Sequence, residues 1–115
     1  MQVTVTIEDA GDSSKTLLLE SQGGGEVRIA AGNEARTVEG SLVERAIQNG
    51  LNVGSDPNPN LLAQTRITEA EGGAFLVVEN HPKDRDLIAV KAGSETRNVN
   101  GRQLTTGIRH CLNAA

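Results

Sequence analysis

Aromatic side chains are almost missing from this chain: there is no Trp and no Tyr, and Phe75 is the single aromatic residue. Aromatic rings are the usual stacking platforms for single-stranded nucleic acid and frequent anchors at protein interfaces. Binding must instead rest on aliphatic contact, backbone groups and charge. Cysteine is nearly as scarce. Cys111 has no partner in the chain, so no intramolecular disulfide can form and a reducing compartment is the expected setting. No apolar run approaches the length of a membrane span. Met1-Gln2-Val3-Thr4-Val5 lacks both the charged and the apolar region of a signal peptide. These absences predict a soluble, cytoplasmic protein with no membrane partner. Positive charge is also in deficit, with 11 Lys and Arg against 15 Asp and Glu. Broad attraction to a phosphate backbone needs the opposite balance, so nucleic acid is not the expected partner.

What the chain does have is an internal repeat. Ala31-Gly32-Asn33-Glu34-Ala35-Arg36-Thr37-Val38-Glu39-Gly40 matches Ala92-Gly93-Ser94-Glu95-Thr96-Arg97-Asn98-Val99-Asn100-Gly101 in the pattern A-G-x-E-x-R-x-V-x-G. Without a gap, Ile47 falls on Ile108, Leu51 on Leu112 and Asn52 on Asn113. Upstream, Leu17 to Glu20 matches Leu76 to Glu79, and Ile7 matches Ile67.

Each copy reads as four strands and a helix. The first strand alternates, at Val3, Val5, Ile7 and at Thr65, Ile67. The second is more continuously apolar, Thr16 to Leu19 and Ala74 to Val78, which suggests burial on both faces. The third covers Val27 to Ala31 and Leu87 to Ala92. Gly32-Asn33 and Gly93-Ser94 suit type I′ or II′ hairpins into a fourth strand. The helix follows, with Leu42, Val43, Ala46, Ile47 and Leu51 on one face, and Leu104, Gly107, Ile108, Cys111 and Leu112 on the other copy's face. Ser41 with Glu44 and Asn100 with Gln103 have capping spacing, and Gly50 sits where a helix-ending glycine would.

The expected fold is therefore α+β: a tandem duplication of a ββββα unit, with one or two antiparallel sheets, two helices packed on one face and pseudo-twofold symmetry. One domain spans 1–115, with repeat one at 1–53, a Pro/Asn linker at 54–60 and repeat two at 61–115.

The hairpin register places Glu34 and Arg36 on the apolar side of the first copy, and Glu95 and Arg97 on that of the second. Two readings follow. Each pair is a rim salt bridge with the arginine stem lying on the sheet. Alternatively, Arg36 and Arg97 approach across the pseudo-twofold axis and bind a small anionic ligand or a partner carboxylate.

Other groups carry weaker signals. His81, Asp84 and Asp86 match no standard metal spacing. Cys111 lies on an apolar helix face, and its neighbour His110 points elsewhere. Gly23-Gly24-Gly25 lacks the Lys-Ser/Thr of a phosphate loop. Glu8, Asp9 and Asp12 lack the ligand order of a calcium loop. Arg102, Arg109 and His110 make only the second helix basic. No catalytic residue, metal or cofactor is expected, and the chain is not read as an enzyme.

From Val38 to Gly101 the order strand, helix, three strands, strand resembles the repeating unit of sliding-clamp domains, in a different phase. That resemblance implies a DNA-associated module, although the first helix here is not basic. The preferred expectation is a non-catalytic binding protein that self-associates, as a homo-oligomer, or engages a protein partner through its strand edges. A small accessory or inhibitor protein of a mobile element has this size and composition.

Overall fold

The computed structural model describes residues 2–54 and 61–114. The expected linker lies outside them, except for Gly54, the last residue of the first helix. The first copy forms β1 (Thr4–Glu8), β2 (Thr16–Gly23), β3 (Glu26–Ala31), β4 (Glu34–Glu39) and α1 (Gly40–Gly54). The second forms β5 (Gln64–Thr68), β6 (Phe75–Asn80), β7 (Leu87–Ala92), β8 (Glu95–Asn100) and α2 (Gly101–Leu112). The strands make two separate four-stranded antiparallel sheets, each in simple sequence order. The duplicated ββββα unit is thus realised twice, in two sheets rather than one.

Alternating hydrophobicity sets which face of each sheet is covered. Leu17, Leu19, Val27, Ile29 and Val38 turn inward from the first sheet, and Leu76, Val78, Ile88, Val90 and Val99 from the second. With the helix residues Val43, Ile47, Leu104 and Ile108 they form one continuous core. The second strands differ: β6 buries Leu76, Val78 and Asn80 on one face and Glu79 on the other, whereas β2 does not bury both faces. In β2 burial alternates through Leu17, Leu19 and Ser21, because α2 covers only one side of this strand.

The helices are exchanged. α1 leaves the first sheet and packs mainly on β5 and β6, while α2 packs on β1 and β2. They run antiparallel in contact. A Cβ on Gly40 would sit 2.6 Å from Leu112, and one on Gly101 2.8 Å from Leu51. The glycine shared by both copies at the helix start is therefore what lets each helix meet the end of the other.

Two expected helix signals resolve differently. Gly50 does not end α1. It lies inside the helix, where a Cβ would meet Ile88 Cδ1 at 2.7 Å, so it serves close packing on the other sheet. Ser41 does not cap, because α1 already begins at Gly40; its hydroxyl donates to Glu39 Oε1 at 3.0 Å. Asn100 does cap α2, accepting from the N–H groups of Arg102 and Gln103, each at 3.0 Å.

Candidate functional site

The hairpin pairs are placed as their register requires. Ile29 faces Arg36 and Ala31 faces Glu34; Val90 faces Arg97 and Ala92 faces Glu95. Both Gly32 and Gly93 have φ of 58°, and among the described residues only glycines have positive φ, so both turns are type II′. Arg36 donates from Nη1 to Glu34 Oε1 at 3.1 Å and to Ala35 O at 2.9 Å. Arg97 repeats this with Glu95 Oε1 and Thr96 O, both at 3.0 Å.

Each arginine also crosses to the other repeat. Arg36 Nε donates to Phe75 O at 2.9 Å, and Arg97 Nε to Thr16 O at 2.8 Å. The acceptors are the first residues of β6 and β2. The glutamates cross as well: a Cβ on Gly93 would lie 2.5 Å from Glu34 Cδ, and one on Gly32 2.9 Å from Glu95 Cδ. The four residues are therefore reciprocal staples between the copies. Arg97 is only 4% exposed. An anion arriving at either arginine would compete with a carboxylate and two carbonyls already bonded there.

Further bonds complete this junction. Thr37 of β4 donates its N–H to Glu69 Oε2 at 2.8 Å. Asn98 of β8 donates its N–H to Asp9 Oδ1 at 2.6 Å and accepts at its carbonyl from Ala10 N–H at 2.8 Å. Sequence reading grouped Asp9 with Glu8 and Asp12 and gave Glu69 no role. The signal was available: aligning Ile7 with Ile67 sets Asp9 on Glu69, an acidic residue at one place in both copies.

The result is a contrast among the four sheet edges. Edges β4 and β8 are stitched to the opposite repeat. Edges β1 and β5 are not. Val3 O accepts from Ser21 N–H, and Asp9 N–H donates to Lys15 O. Alternation between these points turns Val5 and Ile7 toward β2, and the backbone groups of Thr4, Thr6 and Glu8 outward. Glu69 N–H to Ala74 O sets β5 the same way, with Gln64, Arg66 and Thr68 outward. No described residue bonds to those outward backbone groups.

Beside β1 runs a groove of about 440 Å³, floored by Val5 to Ile7 and walled by Arg102, Gln103, Thr106 and His110 of α2. The helix sits low here because Gly107 has no Cβ; one would lie 2.7 Å from Leu19 and 3.1 Å from Val5.

The remaining candidates make local contacts. Cys111 is buried, and burial pushes its thiol up from the ordinary value, with the charge of Glu20 adding to this. A raised thiol is a poor nucleophile at neutral pH. His81 Nδ1 accepts from Lys83 N–H at 3.1 Å, and Asp84 Oδ1 from Asp86 N–H at 2.9 Å, so both shape their loop. No group of three or more His, Cys, Asp or Glu among the described residues is placed to hold a metal. No described helix is long and apolar enough to cross a membrane. Gly23 to Gly25, all at positive φ, form the tight turn between β2 and β3.

No protein-family model, curated protein or solved structure matches this chain. The functional reading therefore rests on the geometry above.

Proposed function

We propose that this chain is a non-catalytic protein-binding module that works by strand addition at its open edges, taking a second copy of itself or an extended segment of another protein. The contrast between edges carries this reading. An open edge is a template for a further strand. Here both inner edges are closed by side chains of the opposite repeat, and both outer edges are left open by the described residues. The Glu34, Arg36, Glu95 and Arg97 groups are occupied in holding the copies together, which favours this reading over an anion site.

Magnitudes limit what backbone pairing can do. Three outward residues on β1 offer three N–H and three C=O groups. At about 1 kcal/mol net each, they give about 6 kcal/mol. Association costs roughly 4–15 kcal/mol. Side chains of the added strand must supply the remainder.

For self-association, β1 is the better edge. Pairing β5 with β5 of a second copy, centred on Arg66, opposes two like charges. Pairing β1 with β1, centred on Thr6, opposes two threonines, a favourable cross-strand pair. Light scattering over a wide concentration range tests this. Association should grow with concentration and weaken in Thr6→Pro, which removes one outward N–H on an edge strand. A strict monomer throughout removes self-association and leaves only the extended-partner form.

A further inference from the structure

The edge of β1 and the groove beneath α2 form one continuous surface. Its parts come from different places in the chain, and they have matching geometry. Arg102, Thr106 and His110 are spaced four apart, so they form one row along the helix. Gly107 lowers that row onto β1. A strand added at Thr4, Thr6 and Glu8 would lie directly under it, and its alternate side chains would enter the groove.

The groove is charged in one sense. Arg102 has no ion-pair partner among the described residues, and neither does the His110 ring, whereas Arg109 on the same helix is within 3.5 Å of Glu44. No carboxylate lines the groove itself, and Asp86 lines a separate, smaller cavity that Arg102 also borders. Glu8 belongs to β1, but Val5 and Ile7 are the residues that face α2, so Glu8 points to the opposite side of the sheet with Thr4 and Thr6. The cavity beside β4 is the reverse, lined by Glu26, Glu69 and Glu71. Charge is sorted across the molecule as a whole. The helices carry Arg45, Arg102 and Arg109 against Glu44, a net +2 in a chain of net −4, which leaves −6 elsewhere.

A second copy does not satisfy this groove. An added β1 would bring Val5 and Ile7 to the helix side, and an added β5 would bring Thr65 and Ile67. Neither brings a carboxylate. We infer that the β1–α2 groove docks an extended segment of another protein that carries an acidic side chain. Its backbone pairs with the outward groups of Thr4, Thr6 and Glu8. Its carboxylate sits between Arg102 and His110, with Gln103 and Thr106 as further donors. Charge-assisted bonds of this kind are the strong ones, and they add the side-chain energy that edge pairing alone lacks. The first copy has diverged at the equivalent row: Ser41 stands for Arg102, Arg45 for Thr106 and Asn49 for His110, and Leu42, 38% exposed, stands for Gln103. The β5 side therefore presents a single arginine, one turn further along its helix, and a different pattern of charge.

This inference rests on the strand-addition reading, and one experiment separates the two. Random nonapeptides displayed on phage are selected on the intact protein, on Thr6→Pro and on Arg102→Gln/His110→Gln. All three positions are exposed, and a thermal melt checks that each variant keeps its fold. The expected result is enrichment of Asp or Glu at one position of the selected peptides. A synthetic copy of the best peptide should bind the double variant about tenfold more weakly, a loss of about 1.4 kcal/mol, and Thr6→Pro should abolish binding. Selected peptides with no acidic preference, or equal affinity for the double variant, would overturn the acidic groove and leave strand addition standing. Binding untouched by Thr6→Pro, or no selection above the Thr6→Pro background, would overturn peptide addition at β1 and the acidic groove with it. Displacement of the peptide by a short single-stranded DNA would assign the groove to nucleic acid instead.

Discussion

The inner and outer edges of the two sheets are built from similar strands and treated in opposite ways. At β4 and β8, a side chain from the other repeat meets the backbone: Glu69 at Thr37, Asp9 at Asn98. Arg36 and Arg97 then bridge to Phe75 and Thr16. At β1 and β5, no described residue supplies anything comparable. The molecule has the means to close an edge and uses it only where the copies meet. An open edge is an aggregation liability, and strand addition, as proposed, would give these two a use.

The largest effect should come from cutting the inner staples. Arg97→Ala leaves Thr16 O and the Glu95 carboxylate without their partner in a site that is 4% exposed at Arg97. A loss of about 3 kcal/mol in urea unfolding is expected. Arg36→Ala should cost less, because its side chain is 13% exposed against 5% for Arg97. Unchanged stability in both would return these arginines to a ligand-binding role.

Next in size are the turn glycines. Gly93→Ala forces a left-handed φ of 58° on a residue with a Cβ and pushes that Cβ to 2.5 Å from Glu34 Cδ. A loss of about 2 kcal/mol is expected. Gly32→Ala, with its contact at 2.9 Å, should lose somewhat less. Equal melting temperatures for wild type and both variants would show that the turns do not lock against each other.

Opening an inner edge is a smaller perturbation but a more telling one. Asp9→Ala removes the acceptor for Asn98 N–H, at a cost of about 1 kcal/mol. Hydrogen exchange at Asn98 should quicken, while Thr37, held by Glu69, should stay slow. If both amides quicken together, the two junctions open as one unit.

The smallest effect is at high pH. Burial raises the Cys111 thiol above its ordinary value of 9.0. The folded state therefore holds the proton more tightly than the unfolded state does. That contribution is complete below the ordinary value and is lost as pH rises through the raised one. Stability should fall in this alkaline range, and Cys111→Ala should flatten the fall. An identical profile in the variant would remove Cys111 as its source.

Much of the edge architecture was legible in the sequence. Alternation gave the strands, the shared A-G-x-E-x-R-x-V-x-G gave the hairpins, and their register put the Glu/Arg pairs on the inward side. Helix exchange was not legible. The apolar stripe of α1, with Val43 and Ile47, specifies that the helix is covered, not by which sheet. Gly40 and Gly101 stand at one place in both copies, but a shared glycine does not name its neighbour. Gly50 misled for the same reason: the residue that ends helices also lets them pack closely. Asp9 and Glu69 were missed because their partners are backbone groups in the opposite copy, far away in sequence. The groove beside β1 depends on Gly107 setting the height of α2, which no sequence pattern encodes.

Amide hydrogen exchange measured by NMR at increasing protein concentration tests the contrast between edges most directly. The Thr37 and Asn98 amides should be protected at every concentration. The outward Thr6 amide should exchange fast when dilute, and become protected as concentration rises or when a groove-selected peptide is added. A Thr6 amide that stays fast under all these conditions, or Thr37 and Asn98 amides as fast as Thr6, would contradict a molecule that seals its inner edges and keeps β1 open for binding.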